Sequence, residues 1–414
     1  MKIEVGIDKR TEAVDIPDEQ LLGVLMPNEV NVTASPEDII RHALENPIGS
    51  PRLGQIVKPG EKIVIITSDV TRPLPSYVLL PHVVRELNAA GIPDADIEIV
   101  FALGAHRRHT EAEKMALVGE AMYARFVCVD SDPNDVVHLG QTKQGTPVDI
   151  DRRVARADRR IGLANIEYHY FAGYSGGAKC IMPGVSTRAA IAANHRFMVE
   201  AAAAAGHLDP NPVRDDIEEA IGYCSLDFIL NVVLNERKTV VHAVAGHFIE
   251  AHRAGCAWLD QLYAVPIDAP ADIVIVSQGG YPKDLNLYQT QKALDNAKYA
   301  VKDGGIIIVV GSCKEGLGEE VFERWIREAS TPTDLTDRLA SRFELGGHKA
   351  GAIALVLAKA DIFLVSDMPD ELVRTCFLEP FDTLETAFAA ARDRMPQGTI
   401  LVMPYGGSTL PKRK

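Results

Sequence analysis

The chain has 414 residues, 47% of them hydrophobic, with 43 Lys and Arg against 57 Asp and Glu for a formal charge of −14. Length predicts two to three domains, each with a core of its own, and the near-average composition excludes disorder, collagen-like repeats and a mini-protein stapled by disulfides or metal. The acidic balance argues against nucleic acid or an anionic membrane as the main partner, so an anionic substrate has to meet locally placed cations.

The opening MKIEVGIDKRTEAVDIP has no apolar core with a cleavage site. No later apolar run reaches the roughly 18 to 20 uncharged residues of a spanning helix, so the expected location is the cytoplasm. Six cysteines lie 32 or more residues apart without a CxxC, which suits reduced thiols better than a zinc ribbon or a redox pair.

In chain order, KIEVGI and EAVDIP carry strand signals within residues 1 to 55, which are expected to pack on the first domain. Unbroken apolar runs then recur as KIVIIT (62 to 67), IEIVFAL (97 to 103), FVCV (126 to 129), FILNVVL (228 to 234), DIVIVS (272 to 277), GIIIVV (305 to 310), DIFLVS (361 to 366) and TILVM (399 to 403). Runs of this length suit parallel strands covered on both faces. Helix-like segments such as LPSYVLLPHVVRELNAAG separate them, the last ending in a Gly that can cap it. Strand, helix, strand repeated predicts two α/β domains with mainly parallel sheets, placed at 1–268 and 269–414. The stretch VPIDAPAD (265 to 272) is the candidate hinge.

Four segments carry candidate chemistry, and each has a plainer structural reading. SDVTRPLP (68 to 75) follows a strand, so Asp69, Thr71 and Arg72 occupy the strand end where open α/β sheets bind ligands. The plainer reading is a helix cap. ALGAHRRHT (102 to 110) repeats the geometry and puts His106, a possible acid or base, at the next strand end, with His109 as a solvated neighbour. NIEYHYFAGYSGGAKCIMPGVSTRAAIAANH (165 to 195) combines Gly173, Gly176 and Gly177, whose amides can approach an anion, with Lys179 and the flanking His169 and His195. It departs from a Walker A motif, since Ala178 precedes the lysine and Cys180 follows it. YPKDLNLYQTQKALDNA (281 to 297) places Gln289 and Lys292 on one helix face with Tyr288 alongside. FELGGHKAG (343 to 351) reads as a polar surface turn in which His348 and Lys349 could meet a longer substrate tail. His242, His247 and His252, five residues apart, lack a zinc-binding spacing and read as structural.

Taken in order, DVTRP (69 to 73), GAH (104 to 106), HxxxGYSGGAKxxxPG (169 to 184), NH (194 to 195) and YQTQK (288 to 292) resemble the nickel-dependent lactate racemase family over nearly the whole chain. The resemblance implies two α/β domains with the active site in the cleft between them. It also implies a nickel-pincer nucleotide, a pyridinium mononucleotide whose thioamide and thiocarboxylate hold nickel. On that resemblance Lys179 forms the thioamide link and His195 completes the nickel coordination. His106 and His169 are the paired acid and base, Arg72 and Lys292 hold the substrate beside Tyr288 and Gln289, and Asp69, Thr71, Ser175, Gly176 and Gly177 hold the nucleotide. The implied reaction inverts C2 of a 2-hydroxy acid, lactate or a relative, by moving the Cα hydrogen as hydride, which avoids a carboxylate dianion. Cofactor-synthesis enzymes are the implied loading partners. The alternatives are an NAD-type dehydrogenase, for which the GxGxxG fingerprint is missing, and a non-catalytic metal or nucleotide binder.

Overall fold

The structure, a computed structural model, describes residues 1–413. Two compact units emerge: Val30–Asp260, and Met1–Glu29 together with the chain from Gln261 onward.

In the Val30–Asp260 unit a six-stranded sheet runs in the order Val240–Gly246, Phe228–Leu234, Arg159–Asn165, Ile63–Ser68, Ile97–Ala102, Val127–Asp130. Every neighbouring pair is parallel except the first. All seven residues of Phe228–Leu234 are buried, as a strand covered on both faces requires. The helix Ser76–Ala89 lays Leu79, Leu80, Val83, Val84 and Leu87 into that core. It ends where Gly91 turns to φ 88° and the Ile92 amide bonds back to Leu87 O at 3.0 Å. The strand Arg159–Asn165 escapes the apolar-run reading because two arginines open it. Arg159 is neutralised by Glu61 and Asp227, and the Arg160 guanidinium is spent on Ser225 O and the carbonyls at Val154 and Ala157.

The other unit carries a wholly parallel sheet in the order Glu379–Phe381, Ala360–Val365, Val301–Val310, Ala271–Ser277, Ile400–Met403, Leu21–Val24. All eight expected runs are therefore strands. The expected domain boundary is corrected at the N-terminus. Leu21–Val24 is an edge strand of this second sheet, and the hairpin Lys2–Ile7/Arg10–Asp15 buries Ile3, Val5, Ile7 and Val14 against Ile273, Ile306, Ile308 and Phe363. Hydrophobic faces have no address in a sequence, and these found a core made by residues from the far end of the chain. VPIDAPAD is not the boundary either. Ala264–Ile267 is a strand paired with Leu410–Arg413, and the units divide between Asp260 and Gln261 within the helix Glu250–Tyr263.

Candidate active site

Loops that follow neighbouring parallel strands leave a sheet at the same end. Ser68 and Ala102 are register partners closing their strands, and Arg159–Asn165 flanks Ile63–Ser68 on its other side. Three adjacent strands thus deliver Asp69 to Arg72, Gly104 to His106, and His169 to Lys179.

The first two loops meet in a dyad. His106 Nδ1 lies 2.8 Å from Asp69 Oδ2, and the Thr71 hydroxyl donates to Asp69 Oδ1 at 2.8 Å. Burial raises the Asp69 pKa, but the His106 hydrogen bond and charge, the Thr71 hydroxyl and Arg72 outweigh it and hold the carboxyl below its ordinary value. An ionised carboxylate can only accept, so His106 donates its Nδ1–H to Asp69, and whenever the exposed ring is neutral the lone pair of a base lies on Nε2. His109 is not the solvated residue its sequence context suggested. It is buried, with Nδ1 2.6 Å from Asp130 Oδ1 and Nε2 accepting the Val70 amide at 3.0 Å, and so braces the loop next to Asp69.

The third loop gathers its groups around buried Phe171. Ring centroids of His169 and His195 lie 4.5 and 4.8 Å from that of Phe171, and Lys179 Nζ lies 5.9 Å away. Among the described residues no carboxylate forms an ion pair with Lys179. Loss of solvent, then the charges of Arg214 and Arg72, pull its pKa well below the ordinary value, with Glu167 opposing weakly. Such a shift moves a lysine toward its neutral, nucleophilic form. The His169 pKa is likewise pulled well down, by burial first and then by Lys179 and Arg72. Its Nδ1 accepts the Ala172 amide at 3.3 Å, so in the neutral ring Nε2 carries the proton. The two rings are held by opposite nitrogen roles, His106 donating from Nδ1 and His169 accepting at Nδ1. Half-buried Arg72 reaches Glu167, two residues before His169, at 3.5 Å.

The glycine loop is packed closely against its neighbours. Gly176 and Gly177 sit at φ 79° and 59°, and a Cβ on them would lie 2.8 Å from Asn231 Oδ1 and 2.9 Å from the His252 ring. Gly177 donates its amide to Asn231 Oδ1 at 2.8 Å, while the Ser175 hydroxyl donates to Asn165 O at 2.7 Å and accepts the Glu167 amide at 2.9 Å. The Gly177 amide and the Ser175 hydroxyl are thus engaged within the protein. What the loop achieves is the placement of Lys179 in the short turn Gly177–Cys180. Its carbonyls are held from behind: Arg214 Nη2 donates to Ala172 O at 3.1 Å and also to Tyr174 O, Asn211 Nδ2 to Phe171 O at 2.9 Å, and His252 Nε2 to Ser175 O at 2.8 Å. Burial lowers the Arg214 pKa to about 10. Asn211, Arg214 and Asn231 fit no motif. The available signal was charge on an apolar face, since Arg214 and Asp216 are buried beside Val213, Ile217 and Ala220 on the helix Pro212–Ala220.

Tyr288, Gln289 and Lys292 lie in the other unit and form a group of their own on the first turns of the helix Leu287–Ala297, with Lys292 exposed. His348 and Lys349 are not on a surface turn. They are buried on the helix Gly347–Leu357, where Lys349 Nζ donates to Tyr288 O at 2.6 Å and lies 3.9 Å from the centre of the Tyr288 ring. Among the described residues no helix is long and apolar enough to cross a membrane.

A parallel sheet whose strand ends hold a lysine of lowered pKa and two differently held imidazoles belongs to the α/β enzymes. Residues 7–206 match the family profile of the lactate racemase N-terminal domain, and residues 267–410 that of the lactate racemase C-terminal domain. Lactate racemase of Thermoanaerobacterium thermosaccharolyticum is 36% identical over 100% of this chain and 99% of its own, and that of Lactiplantibacillus plantarum 34% over 98% of each. The solved lactate racemase apoprotein from the former organism superposes with a TM-score of 0.91, covering 100% of both chains at 36% identity. The chain belongs to the lactate racemase family and is an enzyme of the racemase class.

Proposed function

We propose that this enzyme inverts the C2 centre of a 2-hydroxy acid, lactate or a close relative, with a nickel-pincer nucleotide tethered at Lys179. The observation that carries the reading is the group around Phe171, in which a lysine amine of lowered pKa and two imidazoles come together, with no carboxylate paired to the lysine among the described residues. The residues fit such a cofactor. Among the described residues no three His, Cys, Asp or Glu side chains converge as a metal site, so a metal here needs donors that come with its own ligand, and His195 can add one. A neutral amine is also the state of lysine able to form an amide-type bond. When bound, the group supplies an acceptor, and then a donor, for the hydrogen on Cα.

The chain's own residues supply the rest. His106, its Nδ1 proton engaged by Asp69, offers Nε2 to take the substrate hydroxyl proton and to return it to the oxygen of the 2-oxo acid, and the His169 N–H holds that oxygen by a hydrogen bond. Arg72 recruits the carboxylate through its guanidinium fork, exchanging the long contact to Glu167 for a charge-assisted pair. Lys292, with Gln289 and Tyr288, is assigned to substrate binding. Cofactor-synthesis enzymes are the partners that load Lys179.

The test is interconversion. Protein produced together with the cofactor-synthesis enzymes is checked for adduct mass and nickel content, then given D- or L-lactate separately and followed by chiral chromatography. Both reactions should converge on the same racemic mixture. Loaded protein that leaves both enantiomers of lactate and of other short 2-hydroxy acids unchanged would overturn the proposal, and NAD-dependent accumulation of 2-oxo acid would point to a dehydrogenase instead.

A further inference from the structure

We infer that Asp216 is a positioning residue for His195, holding the Asn194 amide so that His195 Nδ1 carries the proton and Nε2 keeps its lone pair. Asp216 is fully buried on the helix Pro212–Ala220. It accepts the Thr142 hydroxyl at 2.5 Å, the Thr146 hydroxyl at 2.7 Å and Asn194 Nδ2 at 2.8 Å. Thr142 Oγ1 already accepts the Thr146 amide at 3.1 Å, which directs the hydroxyl proton to Asp216. The second proton of Asn194 Nδ2 goes to Val213 O at 3.1 Å. Both partners of that nitrogen accept only, so the amide has one orientation, with Oδ1 facing His195 Nδ1 at 2.9 Å. Oδ1 accepts only, and the imidazole must therefore donate from Nδ1.

Burying a carboxylate among neutral donors is costly, and an apolar residue would fill the position more cheaply. Asp216 repays that cost by polarising the amide toward His195 and excluding the Nε2–H tautomer, which cannot coordinate a metal through Nε2. Outer-shell partners of this kind are worth about 10- to 100-fold in metal affinity. The same helix places the Lys179 loop through Arg214 and His195 through Asp216, so one rigid element fixes both attachment points. The tautomer claim stands on the protein alone, whereas its metal consequence rests on the reading of His195 as a nickel ligand.

The experiment uses ¹⁵N-histidine-labelled protein without cofactor, with long-range ¹H–¹⁵N correlation spectra and His195→Gln to assign the resonance. Wild-type His195 should show a protonated Nδ1 and an unprotonated Nε2, while Asn194→Leu and Asp216→Asn should shift the population toward Nε2–H. In loaded protein the same two variants should lose nickel to a chelator about 10- to 100-fold more readily, and Asp216→Glu should recover part of the retention. A wild-type Nε2–H tautomer, or variants that leave the tautomer unchanged, would overturn the inference, and the wild-type spectrum decides even if a variant fails to fold. A shifted tautomer with unchanged nickel retention supports the relay and overturns His195 as the nickel ligand.

Discussion

The two units are built on the same plan, a six-stranded sheet with loops gathered at its strand ends, yet they treat charge there in opposite ways. In the unit that begins at Met1, Lys314 pairs with Asp8 at 2.5 Å and Arg10 with Asp367 at 2.8 Å. Asp284 accepts the amides of Asp8 and Ser312 at 2.7 and 3.0 Å. In the Val30–Asp260 unit, no carboxylate among the described residues pairs with Lys179, His169 is held neutral, and His195 Nδ1 faces the Asn194 amide oxygen. A paired charge keeps its ordinary protonation state and stitches loops together. A charge refused its partner is pushed into the state that chemistry uses. The parallel sheet provides a place in both units, and at Lys179 and His169 burial, not outweighed by a neighbouring carboxylate, shifts the groups toward their neutral states.

The sharpest break in that comparison is the loss of each lysine in turn. Lys179→Ala should abolish the covalent adduct altogether, because only a primary amine at this position can supply the linking nitrogen, whereas Lys314→Ala should load and turn over as the parent does. Intact mass and tryptic mapping read both. A Lys179→Ala protein still carrying an adduct on the 165 to 195 segment would remove the lysine from its role. Next in size are the imidazoles. His106→Ala and His169→Ala should each lower interconversion by about 10² to 10⁴, the usual worth of acid–base assistance. Steady-state rates must fall in both directions, since one catalyst cannot invert one way only. Single-turnover oxidation should separate the variants, His106→Ala losing the group that takes the hydroxyl proton and His169→Ala the N–H that holds the oxygen, and near-parental racemisation by either would send the proton through another group. Smaller again is Arg72→Ala, expected to raise KM and lower kcat/KM by about 10² through loss of a charge-assisted pair to the carboxylate. Unchanged kinetics would take Arg72 out of the site.

Much of this was legible beforehand, and the exceptions have physical causes. All eight apolar runs became strands because burial on both faces demands that pattern, and strand ends in a parallel sheet are binding places by geometry, which located Asp69, Arg72, His106 and Lys179. Residues 1–29 were misplaced because a hydrophobic face in the hairpin Lys2–Ile7/Arg10–Asp15 fits either core, and only the three-dimensional pairing chooses. Asp69 was expected to hold the nucleotide, whereas the structure pairs it with His106, a contact set by the register Ser68 to Ala102 rather than by spacing. The supports Asn194, Arg214 and Asp216 were missed because hydrogen-bond partners from separate helices leave no periodic trace. His348 and Lys349 looked like surface because they are polar, and the aromatic ring and carbonyl of Tyr288 that accommodate Lys349 lie 61 residues away.

The smallest expected effect concerns stability, and it follows from the same refusal of charge. His252 is fully buried behind the glycine loop, where burial first, and then Arg214, hold its pKa well below 6.5, and its Nε2–H is committed to Ser175 O. The unfolded chain binds a proton at this residue as pH falls below about 6.5, while the folded chain declines it, so stability is fully present above that pH and drains away below it. The slope is at most about 1.4 kcal/mol per pH unit for one such group. His169 adds a slope of the same sign, and His348 in the other unit, lowered to about 3 by burial and Lys349, adds one there. Urea unfolding of His252→Gln at pH 7 and pH 5 should therefore show two separable changes. The variant is less stable at pH 7, where it loses a well-packed ring, and its stability falls less between the two pH values than that of the parent, by up to one proton's worth. Lys314→Ala, whose ammonium is solvent-exposed in the other unit, should leave that pH slope as it was. If His252→Gln and the parent lost the same stability on acidification, the buried imidazole would not be titrating against the fold, and the neutral state assigned to this part of the Val30–Asp260 unit would be wrong.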